Sequence, residues 1–273
     1  MLKLEDISNQ IYFAFRKAQT EAMKTERLGV IHVSDIIKPC MRNVIYKKTL
    51  PETGMNTEDM RSLYFGQAIH SASMVAKPEF HEMFLAYDYV RDEALTREEA
   101  LKIPVDDPRH LDIIYGSIDD VMEINGKYVI CDKKTTGSIA YFSKATSKPS
   151  ESHVDQINRY RVLLKKCYDI DADYGCVIYI SNAVDKETRD KPSCLPFKLA
   201  PIEETLEDMI VKSREIKDSL TNKTLPPRVK NYLCDGFCPY ATMCFQDDRE
   251  KWEWYIPVVN KVIILNALHN MVT

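Results

Sequence analysis

The sequence predicts a mixed α/β core with a helical, metal-stapled flank. Three observations predict it. Two β-like runs meet at Asn125-Gly126, apolar segments of strand and helix length alternate from there to Leu220, and three cysteines crowd one short loop further on. A chain of 273 residues is long enough to bury a sizeable core, as one large domain or two small ones.

The elements follow in order. Residues from about Glu5 to Glu26 place Ile7, Ile11, Phe15, Ala18 and Ala22 on one stripe, the pattern of an amphipathic helix. Ser34 is expected to cap a short helix carrying Cys40, and Thr57 to Ala76 reads as a further helix containing Leu63, Gly66 and His70. A loop-rich acidic stretch then leads to the hairpin. Ser152 to about Lys166 reads as a helix, with Ser152 and Asp155 at capping-box spacing. Tyr174 to Ser181 is an apolar strand, and Ile202 to Leu220 a helix with Ile202, Leu206, Met209, Ile210 and Ile216 inward. Leu225-Pro226-Pro227 breaks that helix. The sequence contains no internal repeat and no low-complexity segment.

The hairpin carries the chemistry. Asn-Gly between two β-like runs is the strongest short-range hairpin signal, because a type I′ turn needs φ > 0 at both central residues. The two-residue loop sets Ile124 opposite Lys127 and Glu123 opposite Tyr128. Continued without a bulge, this register sets Asp119 opposite Asp132, with Lys134 on the face of Asp132. Like charges directly opposed, their Cβ atoms about 4.5–5.5 Å apart, destabilise a sheet. A hard cation such as Mg²⁺ or Mn²⁺ between them removes that conflict and suits phosphate-bearing substrates. The alternative is an edge hairpin whose acids face water, and a bulge would break the register. Asp120 falls on the other face, opposite Cys131, so Asp119 is the candidate ligand.

Composition is that of a globular, water-soluble protein: 45% hydrophobic, 29% charged, with a net charge of −4. No global basic field argues for nucleic acid, but bound metal ions offset acidic side chains, so an acidic balance does not exclude it. Basic clusters at Arg42, Lys47 and Lys48, at Lys144 and Lys148, and at Arg228 and Lys230 read one by one as solvated surface. Glu5 and Asp6 interrupt any secretory apolar run. The longest apolar candidate, Tyr255 to Val272, carries Pro257 and Lys261 and reads as an amphipathic or partly buried helix, with no membrane span. A reducing, cytoplasmic location is expected, where clustered cysteines are more often metal ligands or catalytic groups than disulfides.

Of eight cysteines, Cys131, Cys167, Cys176 and Cys194 are scattered, and Cys131 and Cys176 sit in apolar runs as small core residues. Cys234, Cys238 and Cys244 fall within eleven residues broken by Gly236 and Pro239, a tight loop of soft ligands. Zinc and iron–sulfur clusters both accept four thiolates. Cys40, in polar Lys-Pro-Cys-Met-Arg, is the candidate fourth. The residues alone leave zinc and iron–sulfur open.

Three more residues complete the set. His70 follows Gly66 by four, and Gln156 and Tyr160, four apart, share a helical face. Each alone is ordinary. Taken in order, Cys40 in Ser-x₅-Cys-x-Arg, His70 in Gly-x₃-His, Asp119 in Gly-Ser-Ile-Asp, Asp132 and Lys134 in Asp-x-Lys, Gln156 and Tyr160 in Gln-x₃-Tyr, and the three-cysteine tail resemble a RecB-type nuclease of the PD-(D/E)XK superfamily. The chain is more closely similar to the CRISPR-associated RecB-like exonucleases that carry an iron–sulfur cluster. The resemblance spans about residues 34 to 244. It departs in spacing: three residues, Asp235, Gly236 and Phe237, separate the first two tail cysteines, where many relatives have two.

The resemblance implies a restriction-endonuclease-like mixed sheet flanked by helices in a single unit, 1–273. Its parts are a helical N-terminal part (1–95) with Cys40 and His70, a nuclease core (96–222), and a cysteine-cluster tail with a C-terminal helix (223–273). His70, Asp119, Asp132 and the backbone carbonyl of Lys133 would bind Mg²⁺ or Mn²⁺. Lys134 would orient the attacking water, and Gln156 and Tyr160 would position the DNA strand or the lysine. Cys40, Cys234, Cys238 and Cys244 would hold a structural 4Fe-4S cluster. The implied activity is hydrolysis of DNA by an exonuclease preferring single strands, with Tyr64, Phe65, Tyr141 and Phe142 as candidate stacking residues. CRISPR integration or recombination proteins are the implied partners. The alternatives are a catalytically weak or inactive nucleic-acid-binding partner in a CRISPR or viral recombination complex, and a zinc-stapled interaction module. Trp252 and Trp254 are expected to cover the core.

Overall fold

Asn125 and Gly126 both take positive φ, 52° and 74°, and turn β4 (Ile113–Ile124) back into β5 (Lys127–Thr136). The ladder runs from Ile124 opposite Lys127 to Asp120 opposite Cys131, the register that a two-residue turn dictates. The structure, a computed structural model, describes residues 29–50, 66, 68–70, 77–104, 106–136, 148–181, 192–231, 234 and 238–246. The expected helix of residues 5–26, the stacking candidates Tyr64, Phe65, Tyr141 and Phe142, Lys144, and Trp252, Trp254 and the helix of residues 255–272 lie outside the described residues. So does the expected helix of residues 57–76, apart from residues 66 and 68–70, which are helical.

Five further strands are β1 (Ile31–His32), β2 (His81–Asp88), β3 (Glu93–Ala94), β6 (Ala172–Ser181) and β7 (Ser193–Lys198). With β4 and β5 they make one seven-stranded sheet in the order β3-β2-β4-β5-β6-β7, with β1 parallel to the start of β4. β1, β2 and β3 come from residues before 96. The parallel pair β5–β6 needs a crossover, and the helix Glu151–Tyr168 lies between the two strands in the chain. Helices in chain order are α1 (Val33–Ile36), α2 (Met41–Thr49), α3 (Arg97–Lys102), α4 (Glu151–Tyr168), α5 (Ile202–Asn222) and α6 (Ala241–Gln246). This mixed sheet flanked by helices is consistent with the expected restriction-endonuclease-like fold.

Two strands escape the sequence pattern for opposite reasons. In β2 the last six residues are all buried, so no polar alternation marks it, and the loop expected there is a strand. In β7 burial alternates, but Pro196 reads as a strand breaker. It is tolerated because β7 is an edge strand, where a missing N–H costs least.

The main core joins Met83, Leu85, Ile114, Ile118, Val121, Ile130, Val177 and Tyr179 of the sheet to Ile157, Tyr160, Leu163 and Leu164 of α4 and to Met209 and Ile216 of α5. The inward stripe of α5 is as expected, with Ile202, Leu206 and Ile210 packed at its margin. Three local expectations are corrected. The cap of α4 is Ser150, whose hydroxyl meets Ser152 at 3.0 Å. His32, not Ser34, caps α1, and Cys40 is the N-cap of the next helix, α2. Lys48 is no surface residue: it is buried and pairs with Asp35 at 2.8 Å.

Candidate active site

Asp119 stands directly after the last ladder pair between β4 and β5. Its Oδ2 accepts the backbone N–H of Lys133 at 2.7 Å, and its Oδ1 meets His70 Nδ1 at 2.9 Å. One carboxylate therefore joins two strands and the helical residues 68–70. Burial opposes protonation of His70, but the hydrogen bond and charge of Asp119 outweigh it and raise the ring above the ordinary histidine value.

Asp132 and Lys134 pair in register with Val177 and Tyr179, so they share one face of β5. Lys134 Nζ lies 2.9 Å from Asp132 Oδ2 and donates to Oδ1 at 3.2 Å. Burial pushes the Asp132 carboxyl up; Lys134 opposes that rise, and the charge of Asp119 adds to it. Asp132 Oδ2 is buried and makes no aligned hydrogen bond, which leaves an oxygen lone pair for a cation.

Gln156 and Tyr160 of α4 meet as their spacing predicts, with Gln156 Nε2 donating to Tyr160 Oη at 2.8 Å. Gly116 makes this approach sterically feasible: a Cβ there would lie 3.1 Å from the Tyr160 ring and 3.4 Å from Leu163 and Val33. The glycine of Gly-Ser-Ile-Asp is thus a packing requirement of α4 on β4.

Sequence reasoning missed two neighbours of this group. His153 shares the α4 face of Gln156 and Tyr160 by its spacing of three and seven, the one signal that marks it. Its Nδ1 meets Tyr179 Oη at 2.8 Å, and Ser150 N–H donates to the same oxygen at 3.1 Å. Burial, with the charge of Lys134, lowers its pKa to about 4, so the ring is neutral at neutral pH. Glu82, in β2, takes a left-handed φ of 48°. Its carboxylate accepts from Ser117 Oγ at 3.2 Å, and burial and then Asp119 raise its pKa. No sequence pattern marks Glu82.

Asp120 points away from Asp119, opposite Cys131 as the register requires. It is wholly buried and paired with Lys133 at 3.2 Å.

The four candidate cluster cysteines line one cavity. Cys40, Cys234, Cys238 and Cys244 surround a space of about 310 Å³, including its open mouth, with Arg42 and Asn43 of α2. Asn43 Nδ2 donates to Cys238 Sγ at 3.3 Å, and Arg42 Nη1 approaches Cys244 Sγ at 3.8 Å. Arg42 Nε also donates to the Pro226 carbonyl at 2.9 Å, tying α2 to the segment before the tail. Cys131 is buried as expected, Cys176 half-buried and Cys194 exposed. Among the described residues, no three His, Cys, Asp or Glu side chains gather closely enough to grip a single metal ion as they stand, and no helix is long and apolar enough to cross a membrane.

No protein-family model matches the chain, and no curated protein does. Among solved structures it is similar to the crystal structure of SSO0001, at 17% identity over 79% of this chain and 86% of that one, with a TM-score of 0.41. It is also similar to LHK-Exo, an alkaline exonuclease from Laribacter hongkongensis, at 12% identity over 72% of this chain and 94% of that one, with a TM-score of 0.38.

Proposed function

We propose that the chain is a divalent-metal-dependent deoxyribonuclease, an exonuclease of the RecB-like, CRISPR-associated kind that prefers single-stranded DNA. The observation that carries the reading is the meeting of His70, Asp119, Asp132 and Lys134 where β4 and β5 part, with Gln156 and Tyr160 on α4 against β4. Asp119, Asp132, His70 and the Lys133 carbonyl would hold Mg²⁺ or Mn²⁺, exchanging the present contacts of the two carboxylates for it. Such an ion supplies Lewis-acid activation of the scissile phosphate and of water. Lys134 orients the water and stabilises charge on the phosphate oxygens. Gln156, through Tyr160, positions the strand or the lysine.

Cys40, Cys234, Cys238 and Cys244 fit a 4Fe-4S cluster by donor chemistry. Four thiols face one cavity, and two of them already receive N–H donors. Its role is structural, closing the chain's two ends around the sheet, since hydrolysis moves no electrons. DNA is the substrate, CRISPR integration or recombination proteins are the partners, and the cytoplasm is the site of action.

The test is degradation of end-labelled linear single-stranded DNA by anaerobically purified protein with Mn²⁺, Mg²⁺ or EDTA. Cleavage with either metal, abolished by EDTA and by Asp119→Ala, supports the reading. A folded, brown protein that binds DNA without cutting it points instead to a binding or assembly partner, a reading favoured by the protein contacts that Asp119 and Asp132 already make.

A further inference from the structure

Behind the candidate ligands lies a second charged group, made of the residues between them. Lys133 sits between Asp132 and Lys134 in sequence and points to the opposite face of β5. Its side chain and that of Asp120 are both 0% exposed, with Nζ 3.2 Å from Asp120 Oδ2. The contact is coulombic, since Oδ2 has no aligned donor. The same ammonium donates to the backbone carbonyl of His70 at 2.9 Å. Asp120 Oδ1 meets His81 Nδ1 at 3.0 Å, and that ring nitrogen also lies 2.9 Å from the backbone carbonyl of Asp119.

Two contacts therefore reach from this group to the main chains of His70 and Asp119. Those are the residues whose side chains meet on the other side at 2.9 Å. Burying an ammonium and a carboxylate stabilises a fold less well than apolar packing of equal volume. What the charged pair supplies is direction: an ammonium has three donors, and one of them is spent on His70.

We infer that Lys133, Asp120 and His81 form a positioning unit that anchors the main chains of His70 and Asp119, so that the His70 ring and Asp119 carboxylate are held in register. The metal consequence rests on the proposed function, but the anchoring does not. None of the three side chains is catalytic: they act through His70 and Asp119.

The experiment uses the full chain and two double variants, Asp120→Leu/Lys133→Leu and Asp120→Asn/Lys133→Gln. The second preserves polarity but shortens the reach to the His70 carbonyl, and serves if the first fails to fold. Asp35→Leu/Lys48→Leu, which removes a buried pair elsewhere, is the control. Hydrogen exchange is read on the peptide containing His70, thermal unfolding on the whole chain, and Mn²⁺ affinity by paramagnetic resonance. The expected result is a folded variant with at least tenfold faster exchange at the His70 peptide, unmatched by the control, and Mn²⁺ affinity weakened about 10–100-fold, as loss of groups that orient metal ligands typically does. Wild-type exchange at His70 in a folded variant overturns the inference. A wild-type chain that binds no Mn²⁺ overturns the metal reading instead, and the exchange result still decides the anchoring.

Discussion

Asn43 donates to the sulfur of Cys238 at 3.3 Å across 195 residues of sequence. Hydrogen bonds to cluster sulfurs are among the determinants of an iron–sulfur potential, because an N–H dipole stabilises the more negative, reduced state. Replacing Asn43 with Leu is expected to leave the proposed cluster loaded and shift its reduction potential downward in a spectroscopic redox titration. An unchanged potential in a fully loaded protein would show that this contact does not tune the cluster. Cys238→Ala is expected to lose the visible absorbance and lower thermal stability together; a fully folded, iron-free, active variant would sink the structural role.

Among the described residues, the Lys134 ammonium pairs with the Asp132 carboxylate. Lys134→Met is expected to lower kcat by about 10²–10³, the scale for one donor aimed at developing charge, and to lower thermal stability as well, because it strips the buried Asp132 carboxyl of its partner. Steady-state cleavage beside a melting curve checks both halves.

Asp120→Ala and Asp119→Ala should fail differently. The first strands a buried lysine and is expected to cost about 3–5 kcal/mol of stability, as breaking one side of a buried pair does. The second removes a candidate ligand and is expected to abolish metal-dependent cleavage. Denaturant titration and cleavage on both variants separate the two outcomes.

His153 sets an acid limit. Its folded-state pKa, about 4, lies below the ordinary 6.5, so between those values the unfolded chain binds more protons. Its contribution is complete above about pH 6.5 and is lost as pH falls toward 4. His153→Gln keeps a partner for Tyr179 without titrating. From pH 7 to pH 5 the wild type is expected to lose about 1 kcal/mol more stability than this variant, after allowance for solvent screening. Parallel pH profiles would show that the ring is not held neutral.

Gly116 leaves 3.1 Å between a would-be Cβ and the Tyr160 ring. Gly116→Ala is expected to cost about 1–3 kcal/mol by overpacking and to displace Tyr160 from Gln156. The melting temperature, with a structure of the variant, checks this.

The hairpin was legible because its cause is local. Asn125-Gly126 demands a two-residue turn, and that turn counts residues outward to Asp120 and Cys131. The same holds for α4 and α5, whose apolar periodicity survives burial on one side only. β2 was not legible because burial on both faces erases the alternation that marks a strand. His153 and Glu82 escaped because a titratable residue declares itself through its neighbours, and theirs come from other strands.

By itself the sequence determined which residues are candidates for the chemistry and how those inside one element are spaced: Asp132 with Lys134, Gln156 with Tyr160, and the three tail cysteines with one another. Turn geometry and helical periodicity act over a few residues and leave their mark there. Only the tertiary structure decided that Cys40 faces the tail cavity, that His70 reaches Asp119, and that Lys133 grips the His70 main chain from behind the sheet. Those contacts depend on how strands and helices pack to bury apolar surface, a global condition that no short stretch of residues encodes.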